Sequence, residues 1–224
     1  KALAALDDPG WRHDEGDATW IQASTSPVWD TILTLLAFDD CHLNGDYPSE
    51  VENALNWVLD QQVLRKGDWS VKLPNVAPGG WAFEYKNYFY PDTDDTAVAL
   101  IALSQFRGQA PRSERIDRAI RLGLDWLIAM QCKGGGWGAF DKDNDKKFLT
   151  KIPFCDFGEA LDPPSVDVTA HIVEAFGKLG LGKDHPSMVR ALNYLRREQE
   201  PDGSWFGRWG VNYIYGTGAV LPAL

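Results

Sequence analysis

The chain has 224 residues, enough to bury a substantial core as one domain or slightly more. Its formal net charge is -10, and no Lys/Arg run is long enough to follow a phosphate backbone. This argues against nucleic-acid binding and against a polybasic membrane patch. The three cysteines lack the spacing of metal ligands. Because they are few and their number is uneven, a reducing compartment is favoured over a disulfide framework.

The two ends of the chain predict an internal piece of a longer protein. The chain begins with Lys1 rather than Met, and Leu224 stands inside an apolar run, so we expect the last element to be interrupted there. Residues 1–20 are predicted to connect to a preceding domain, with turn residues at 7–10 and 15–17. No signal peptide or transmembrane span is visible in the sequence.

Two kinds of helix are predicted to alternate along the rest of the chain. Three runs are apolar on every side and therefore predicted to be buried: residues 32–38, 98–106 and 171–179. Helices with one apolar stripe follow them, beginning near Val51, Arg115 and Val189. The segment 49–52 is interpreted as a capping box for the first striped helix. Alternating buried and striped helices predict an all-α ring or solenoid of helical hairpins.

A short phrase recurs after each striped helix: a glutamine, a short spacer, then Gly-x-Trp. The three tryptophans are 68 residues apart, which predicts an internal repeat: Trp69, Trp137 and Trp205. We expect these tryptophans to cap or stack on helix ends. The repeat glutamines are expected to bond backbone groups at helix termini: Gln62, Gln131 and Gln199. Both sets would then serve stability.

Three carboxylates occupy four positions between Pro91 and Ala97, just before the second buried run and after a series of aromatic residues. One acid could simply cap the helix, with Asp95 or Thr96 in that role, but three exceed that need. A magnesium site is a second alternative. It is disfavoured because no Lys/Arg cluster is present to hold a diphosphate. We interpret the three acids as a proton donor at one end of an aromatic-lined cavity.

These residues together resemble the triterpene cyclases. The repeat phrase is similar to the QW repeat of that family, and residues 92–97 are similar to the DxDDTA motif of squalene–hopene cyclases. Oxidosqualene cyclases carry a single-Asp motif, so the three-Asp form resembles the branch that acts on squalene itself. Phe140 stands where some members have Tyr. Other matching stretches are residues 20–24, 26–31, 152–159, 162–165, 167–171 and 205–213.

The resemblance implies a partial (α/α)6 double-walled barrel over residues 21–224, truncated at its C-terminus. It also implies acid-initiated cyclisation of squalene to a pentacyclic triterpene, hopene or hopanol, with no cofactor and no metal. Asp94 would protonate the terminal alkene, with Asp92 and Asp95 in support and a cationic His171 favouring the conjugate base. Without the resemblance, His171 would be interpreted as a satisfied buried histidine.

Carbocations need stabilisation without a nucleophile that would trap them, and aromatic faces supply roughly 0.5–2 kcal/mol per contact. The alternative for any one ring is an ordinary place in the core. By position in the matching motifs, the predicted substrate-contacting residues are Trp29, Phe83, Phe140, Phe154, Phe157, Asp167, Trp209 and Tyr215. Four charged residues are expected instead to form loop ion pairs: Asp156, Glu159, Asp162 and Arg208.

The resemblance further implies that the full-length protein takes squalene from a membrane surface, as a monotopic protein on the cytoplasmic side, and it leaves room for a homodimer. The isolated piece is expected to be inactive, because an open ring cannot exclude water from cations. Two alternatives stay open. One is another protonation-initiated cyclase, such as one that acts on diterpene diphosphates. The other is a non-catalytic α/α-barrel used for binding, to which the acid trio would be of no use.

Overall fold

A computed structural model describes residues 12–21, 24–85, 87–108, 113–152, 160–210 and 212–224, apart from the side chains of residues 147 and 150. It begins with an antiparallel hairpin of β1 (Arg12–Glu15) and β2 (Ala18–Ile21). Gly16 makes the turn with a φ of 63°, a conformation that glycine adopts without steric cost. The turn at 15–17 was predicted. The hairpin was missed because its strands are short and mostly exposed.

Seven α-helices follow in the described residues: α1 (Pro27–Asp40), α2 (Pro48–Asp60), α3 (Thr93–Gln105), α4 (Ser113–Met130), α5 (Val166–Lys178), α6 (Pro186–Arg197) and α7 (Tyr213–Ala223). Short 3₁₀ helices lie in two loops, at Asp68–Val71 and Lys147–Lys151. Helices α1, α3, α5 and α7 pack side by side in one row, and α2, α4 and α6 lie behind them. This double layer confirms the all-α, partial double-walled α/α arrangement.

The middle of the inner row carries the core. Every residue of α3 from Thr93 to Leu103 is buried, and most of α5 is buried as well. Helix α1 is less buried than predicted, because it stands at one end of the row and packs mainly against α2 and α3. Its Leu33 is 41% exposed. None of the described helices is long and apolar enough to cross a lipid bilayer.

The outer helices each bury one stripe, as predicted. Helix α2, for example, buries Val51, Leu55, Val58 and Leu59. The predicted capping box at its start is wrong. The helix begins two residues earlier than a cap at Ser49 would place it, with Pro48 at its first position and Tyr47 as an N-cap that makes no side-chain hydrogen bond. Proline suits that position because its missing N–H would have no helical partner.

Trp137 and Trp205 occupy equivalent places in the repeat. The indole Nε1 of Trp137 donates to the Leu127 carbonyl at 2.7 Å, in the last turn of α4. The Nε1 of Trp205 donates to the Leu195 carbonyl at 2.7 Å, in the last turn of α6. These bonds satisfy carbonyls that the helix leaves without a partner, which confirms the predicted stabilising role.

In the first repeat Trp81, and not Trp69, takes this place. Its Nε1 donates to the Val58 carbonyl at 2.7 Å. Gln62 bonds the carbonyl of Gly79, 17 residues later, whereas the other repeat glutamines bond a glycine carbonyl only four residues later. The prediction that Trp69 is the equivalent of Trp137 and Trp205, made from the equal spacing of 68 residues, is therefore wrong. Trp69 lies in an extra segment, in the 3₁₀ helix of that loop.

The repeat glutamines tie one outer helix to the next. Gln62 Nε2 donates to the Ala119 carbonyl of α4 at 2.9 Å as well as to Gly79. Gln131 Nε2 donates to the Gly135 carbonyl at 2.7 Å and to the Ser187 carbonyl of α6 at 2.9 Å. The predicted role of these glutamines at helix termini is confirmed. Their bonds to Ala119 and Ser187 also link each hairpin to the next one.

Replacing Gln131 with alanine is expected to lower the free energy of unfolding by about 2–3 kcal/mol, because buried carbonyls lose their donor. The Gln199→Ala variant is the matched control. Gln199 is exposed and bonds only the Gly203 carbonyl among the described residues, so its loss should cost less than about 1 kcal/mol. Urea unfolding followed by tryptophan fluorescence measures both. Equal losses would contradict a stabilising link between hairpins.

Candidate active site

Asp92 is the N-cap of α3. Its Oδ1 accepts the backbone N–H of Asp94 at 2.6 Å and of Asp95 at 3.1 Å. The capping alternative had therefore named the wrong residues. Thr96 instead donates its hydroxyl to the Asp92 carbonyl at 2.5 Å and accepts the N–H of Trp81 at 2.9 Å. One carboxylate suffices for the cap, so the helix has no need of the other two.

Burial and mutual repulsion act on the acids together. Burial first, and then the charge of Asp94, raise the pKa of Asp92 well above its usual range, against the two backbone N–H groups that lower it. Burial first, and then the charges of Asp92 and Asp94, raise the pKa of Asp95 in the same direction. Asp95 Oδ1 is buried and accepts no hydrogen bond from a described residue. The cluster therefore retains protons that isolated carboxyls would lose.

His171, on α5, faces the acid helix. Its Nδ1 lies 2.7 Å from Oδ1 of Asp94, and the two side chains are 16% and 13% exposed. Burial lowers the pKa of His171, but the charge of Asp94 and the hydrogen bond to it outweigh burial, so the net pKa is raised. The imidazole is therefore held towards its cationic form beside one oxygen of the acid.

Stability is expected to fall as pH rises above about 4, the ordinary pKa of Asp in an unfolded chain, and further as it rises above about 6.5, the ordinary pKa of His. The pKa values of Asp92, Asp95 and His171 are all raised, so the folded protein binds these protons more tightly than the unfolded chain. Their contribution is complete below the unfolded pKa values and is lost as pH rises through the folded ones. Thermal unfolding across this range measures the effect, and Asp95→Asn should reduce it. A midpoint that rises with pH would contradict the prediction.

The acids open onto a cavity of about 390 Å³. It is lined by the three carboxylates and by five of the predicted aromatic residues, which come from four separate segments: Trp29, Phe83, Phe140, Trp209 and Tyr215. Ala139 and Gly210 also line it, and the sequence analysis missed both. A Cβ on Gly210 would lie 2.3 Å from the Tyr215 ring, so glycine lets that ring approach.

The aromatic rings contact one another and the histidine. Phe140 and Trp209 meet edge to face, with ring centroids 6.0 Å apart. Trp29 and Tyr215 flank His171, with centroid distances of 6.2 Å and 6.3 Å. Burial and the nearby charges of Asp94 and Asp167 raise the pKa of Tyr215 to about 12, so its hydroxyl keeps its proton. The cavity thus places a cluster of carboxyl groups beside aromatic π faces.

Asp167 lies elsewhere than expected. It is fully buried on α5 and is not among the cavity-lining residues. Its Oδ2 accepts the backbone N–H of Trp209 at 2.7 Å, so its contact with the cavity is indirect, through that loop. The predicted residues Phe154 and Phe157 lie outside the described residues.

Within the part of the chain that the structure describes, Asp162 and Arg208 form hydrogen bonds to backbone groups and not the predicted ion pairs. The carboxylate of Asp162 accepts three backbone N–H bonds, from residues 139, 140 and 141. Arg208 donates to the Leu161 carbonyl at 3.3 Å and lies 5.8 Å from the centre of the Trp209 ring. Asp156 and Glu159 are outside the described residues. A sequence motif does not reveal bonds to backbone groups, because every residue except proline supplies an N–H.

A family model described as the squalene-hopene cyclase C-terminal domain matches residues 25–224. The chain belongs to the squalene-hopene cyclase family. It is 51% identical to the squalene-hopene cyclase of Alicyclobacillus acidocaldarius over 98% of this chain and 33% of that protein. It is 49% identical to the enzyme of Schizosaccharomyces japonicus over 91% of this chain and 31% of that protein. The chain thus spans about a third of these squalene-hopene cyclases.

Solved structures support the fold of this squalene-hopene cyclase family chain. A type II terpene cyclase from Scytonema has a TM-score of 0.50 at 18% identity, over 99% of this chain and 54% of that one. A family 88 glycosyl hydrolase from Bacteroides vulgatus has a TM-score of 0.55 at 15% identity, over 88% of this chain and 59% of that one. At these identities the likeness concerns the helical architecture alone.

Proposed function

We propose that the full-length protein to which this chain belongs cyclises squalene to a pentacyclic triterpene by protonation. The single observation that carries the proposal is the Asp94–His171 pair, at 2.7 Å, opening onto an aromatic cavity. An alkene is a very weak base, so its protonation needs a well-aimed acid whose conjugate base is stabilised. A cationic His171 on Oδ1 leaves Oδ2 of Asp94 to carry the transferable proton.

In the proposed reaction the Asp94 proton bonds to the terminal carbon of the substrate alkene, and the adjacent carbon becomes a cation. Each following double bond then attacks the cation and closes a ring. Loss of a proton from the last cation gives a hopene, and addition of water to that cation followed by loss of a proton gives a hopanol. Solvent returns the proton to Asp94. Trp29, Phe83 and Phe140 present π faces that stabilise cations by roughly 0.5–2 kcal/mol per contact.

The names of the relatives support triterpene cyclisation and bear on the product. Several are squalene-hopene cyclases, including that of Zymomonas mobilis at 45% identity. A dammaradiene synthase of Dryopteris crassirhizoma is 43% identical over 94% of this chain. A protonation-initiated cyclase with a different product is therefore the second candidate. The three acids have the same role in both candidate functions. The shape of the cavity beyond them determines how many rings form before the cation is quenched.

The test incubates the full-length protein with squalene in detergent without added metal, and analyses extracted products by gas chromatography and mass spectrometry. Pentacyclic hydrocarbon or alcohol is expected. A tetracyclic product would keep the acid chemistry and favour the second candidate. Turnover of a diterpene diphosphate instead of squalene would move the assignment to another class of cyclase. A folded protein that converts none of these substrates would overturn the proposal.

Trp209, which lines the cavity, is 49% exposed. Squalene is a pure hydrocarbon and partitions out of water into lipid. We therefore also propose that the full-length protein meets its substrate at a membrane surface, and flotation with lipid vesicles tests this.

Location on the cytoplasmic side and assembly as a homodimer are proposals that rest on the resemblance alone. The isolated chain is expected to be inactive, because water would reach the cations.

A further inference from the structure

The loop at residues 138–141 is held by an acid that has no part in the proposed proton transfer. Asp162 Oδ1 accepts the N–H of Ala139 at 3.1 Å. Its Oδ2 accepts the N–H of Phe140 at 2.6 Å and of Asp141 at 2.7 Å. Asp162 is itself only 7% exposed. Three consecutive backbone donors therefore converge on one buried carboxylate, as in an anion-binding loop.

This arrangement depends on the carboxylate oxygens. A carboxylate accepts at both oxygens, whereas an amide accepts at one and donates at the other. Burial raises the pKa of Asp162, and the three N–H groups oppose this. With asparagine in its place, the side-chain NH₂ group would face one or two of the loop N–H groups, and donors that face each other cannot form a hydrogen bond. The side chain is thus suited to hold this backbone in one conformation.

The same loop is also tied to the acid helix. The N–H of Thr93 donates to the Ala139 carbonyl at 2.7 Å, and its hydroxyl donates to the Gly138 carbonyl at 2.7 Å. Thr93 stands between the cap Asp92 and the acid Asp94 in the first turn of α3. The loop therefore lies between two anchors, Asp162 on one side and the first turn of α3 on the other.

We propose that Asp162 is a positioning residue for the cavity. Its carboxylate sets the place of the Phe140 ring, and through the loop carbonyls it sets the first turn of α3, which carries Asp94. A ring displaced by about 1 Å stabilises a developing cation less well, and misplacement of this size can cost about 100-fold in rate. This proposal rests on the proposed function for its catalytic consequence, but not for its structural one.

The first test compares Asp162→Asn with Asp141→Asn in the full-length protein. Asp141 is in the same loop, and among the described residues its side chain accepts only from Asn144, so it is the matched control for charge. Hydrogen exchange read by mass spectrometry should show at least about 10-fold faster exchange at residues 139–141 in Asp162→Asn alone. Unchanged exchange there would overturn the proposal, whether or not the protein proves to be a cyclase.

The catalytic arm measures rate and products with squalene. Asp162→Asn is expected to lower kcat about 10- to 100-fold, change KM less than about threefold, and increase incompletely cyclised products. The product shift should resemble that of Phe140→Ala, and the double variant should add little to it. A merely destabilised protein would lose yield of active enzyme without changing its product ratio, and this outcome would overturn the positioning role.

A second pair of variants keeps the test decisive if Asp162→Asn does not fold. A Cβ on Gly138 would lie 2.5 Å from the Asp162 carbonyl oxygen and 2.7 Å from its Oδ2, so Gly138→Ala pushes the loop away from Asp162 and leaves the carboxylate itself intact. A Cβ on Gly134 would meet nothing within 4 Å, so Gly134→Ala is its control. Gly138→Ala should reproduce both the faster exchange at 139–141 and the product shift. Wild-type behaviour of both glycine variants would overturn the proposal.

Discussion

Replacing Asp94 with asparagine in the full-length protein is expected to lower the rate of squalene cyclisation by about 10⁴-fold or more, the upper end of general acid catalysis. The variant keeps the size of the side chain, and its amide oxygen can still accept from His171, which lies 2.7 Å from Oδ1 in the wild type. It lacks the transferable proton. Since no ring closes before the alkene is protonated, the whole cascade depends on that proton.

The measurement is product formation by gas chromatography with wild type and variant at equal folded concentration. Asp125→Asn is the control, since Asp125 is exposed on α4 and the substitution makes the same change of charge far from the inner row. Wild-type rates are expected from it. Pentacyclic product in comparable amounts from Asp94→Asn would keep the enzyme and remove Asp94 from its assigned role.

The acid helix could be predicted from the sequence because its signals are local. Residues 92–96 stand within two helical turns, so their clustering follows from chain geometry alone. The all-round apolar run behind them predicts burial in any fold with two layers. The pairing of Asp94 with His171, across 77 residues of sequence, came from the resemblance. From the residues alone, a satisfied buried histidine was the favoured interpretation of His171.

The repeat register could not be predicted in the same way. Trp69 has the right motif and an even spacing, yet the hydrogen bonds assign the equivalent place to Trp81. The loop after Gln62 is longer than its counterparts, and a count along the chain cannot tell inserted residues from repeated ones. Equivalence is defined here by which carbonyl each indole bonds, and carbonyls have no sequence signature.

Equivalent positions in the repeat also differ in what they do. Asp94 and Asp167 each stand two residues after an N-cap, Asp92 in α3 and Ser165 in α5. Asp94 faces the cavity, whereas Asp167 accepts the N–H of Trp209. Both helices therefore begin with an Asp at the same position. In α5 the neighbouring loop bonds this carboxylate and is held by it, whereas in α3 the carboxylate stays exposed to the cavity. A motif alone does not separate these two outcomes.

Replacing His171 with glutamine is expected to lower the rate about 100- to 1000-fold, because the glutamine amide can donate to Asp94 but carries no charge. The carboxylate left after proton transfer then loses its cationic partner. The loss should be smaller than in Asp94→Asn, since the acid itself remains. The charged groups that raise the pKa of His171 are Asp94, Asp167 and Glu174, against the burial that lowers it.

The pH profile separates the charge of His171 from a structural role. In the wild type the rate should fall as pH rises through the raised pKa of His171, because the neutral imidazole no longer supports the carboxylate product. His171→Gln should lose this limb of the profile. His185→Asn is the control, since His185 caps α6 outside the cavity and asparagine is a favoured cap. A glutamine variant that keeps both the wild-type rate and the alkaline limb would assign that titration, and the support of Asp94, to another group.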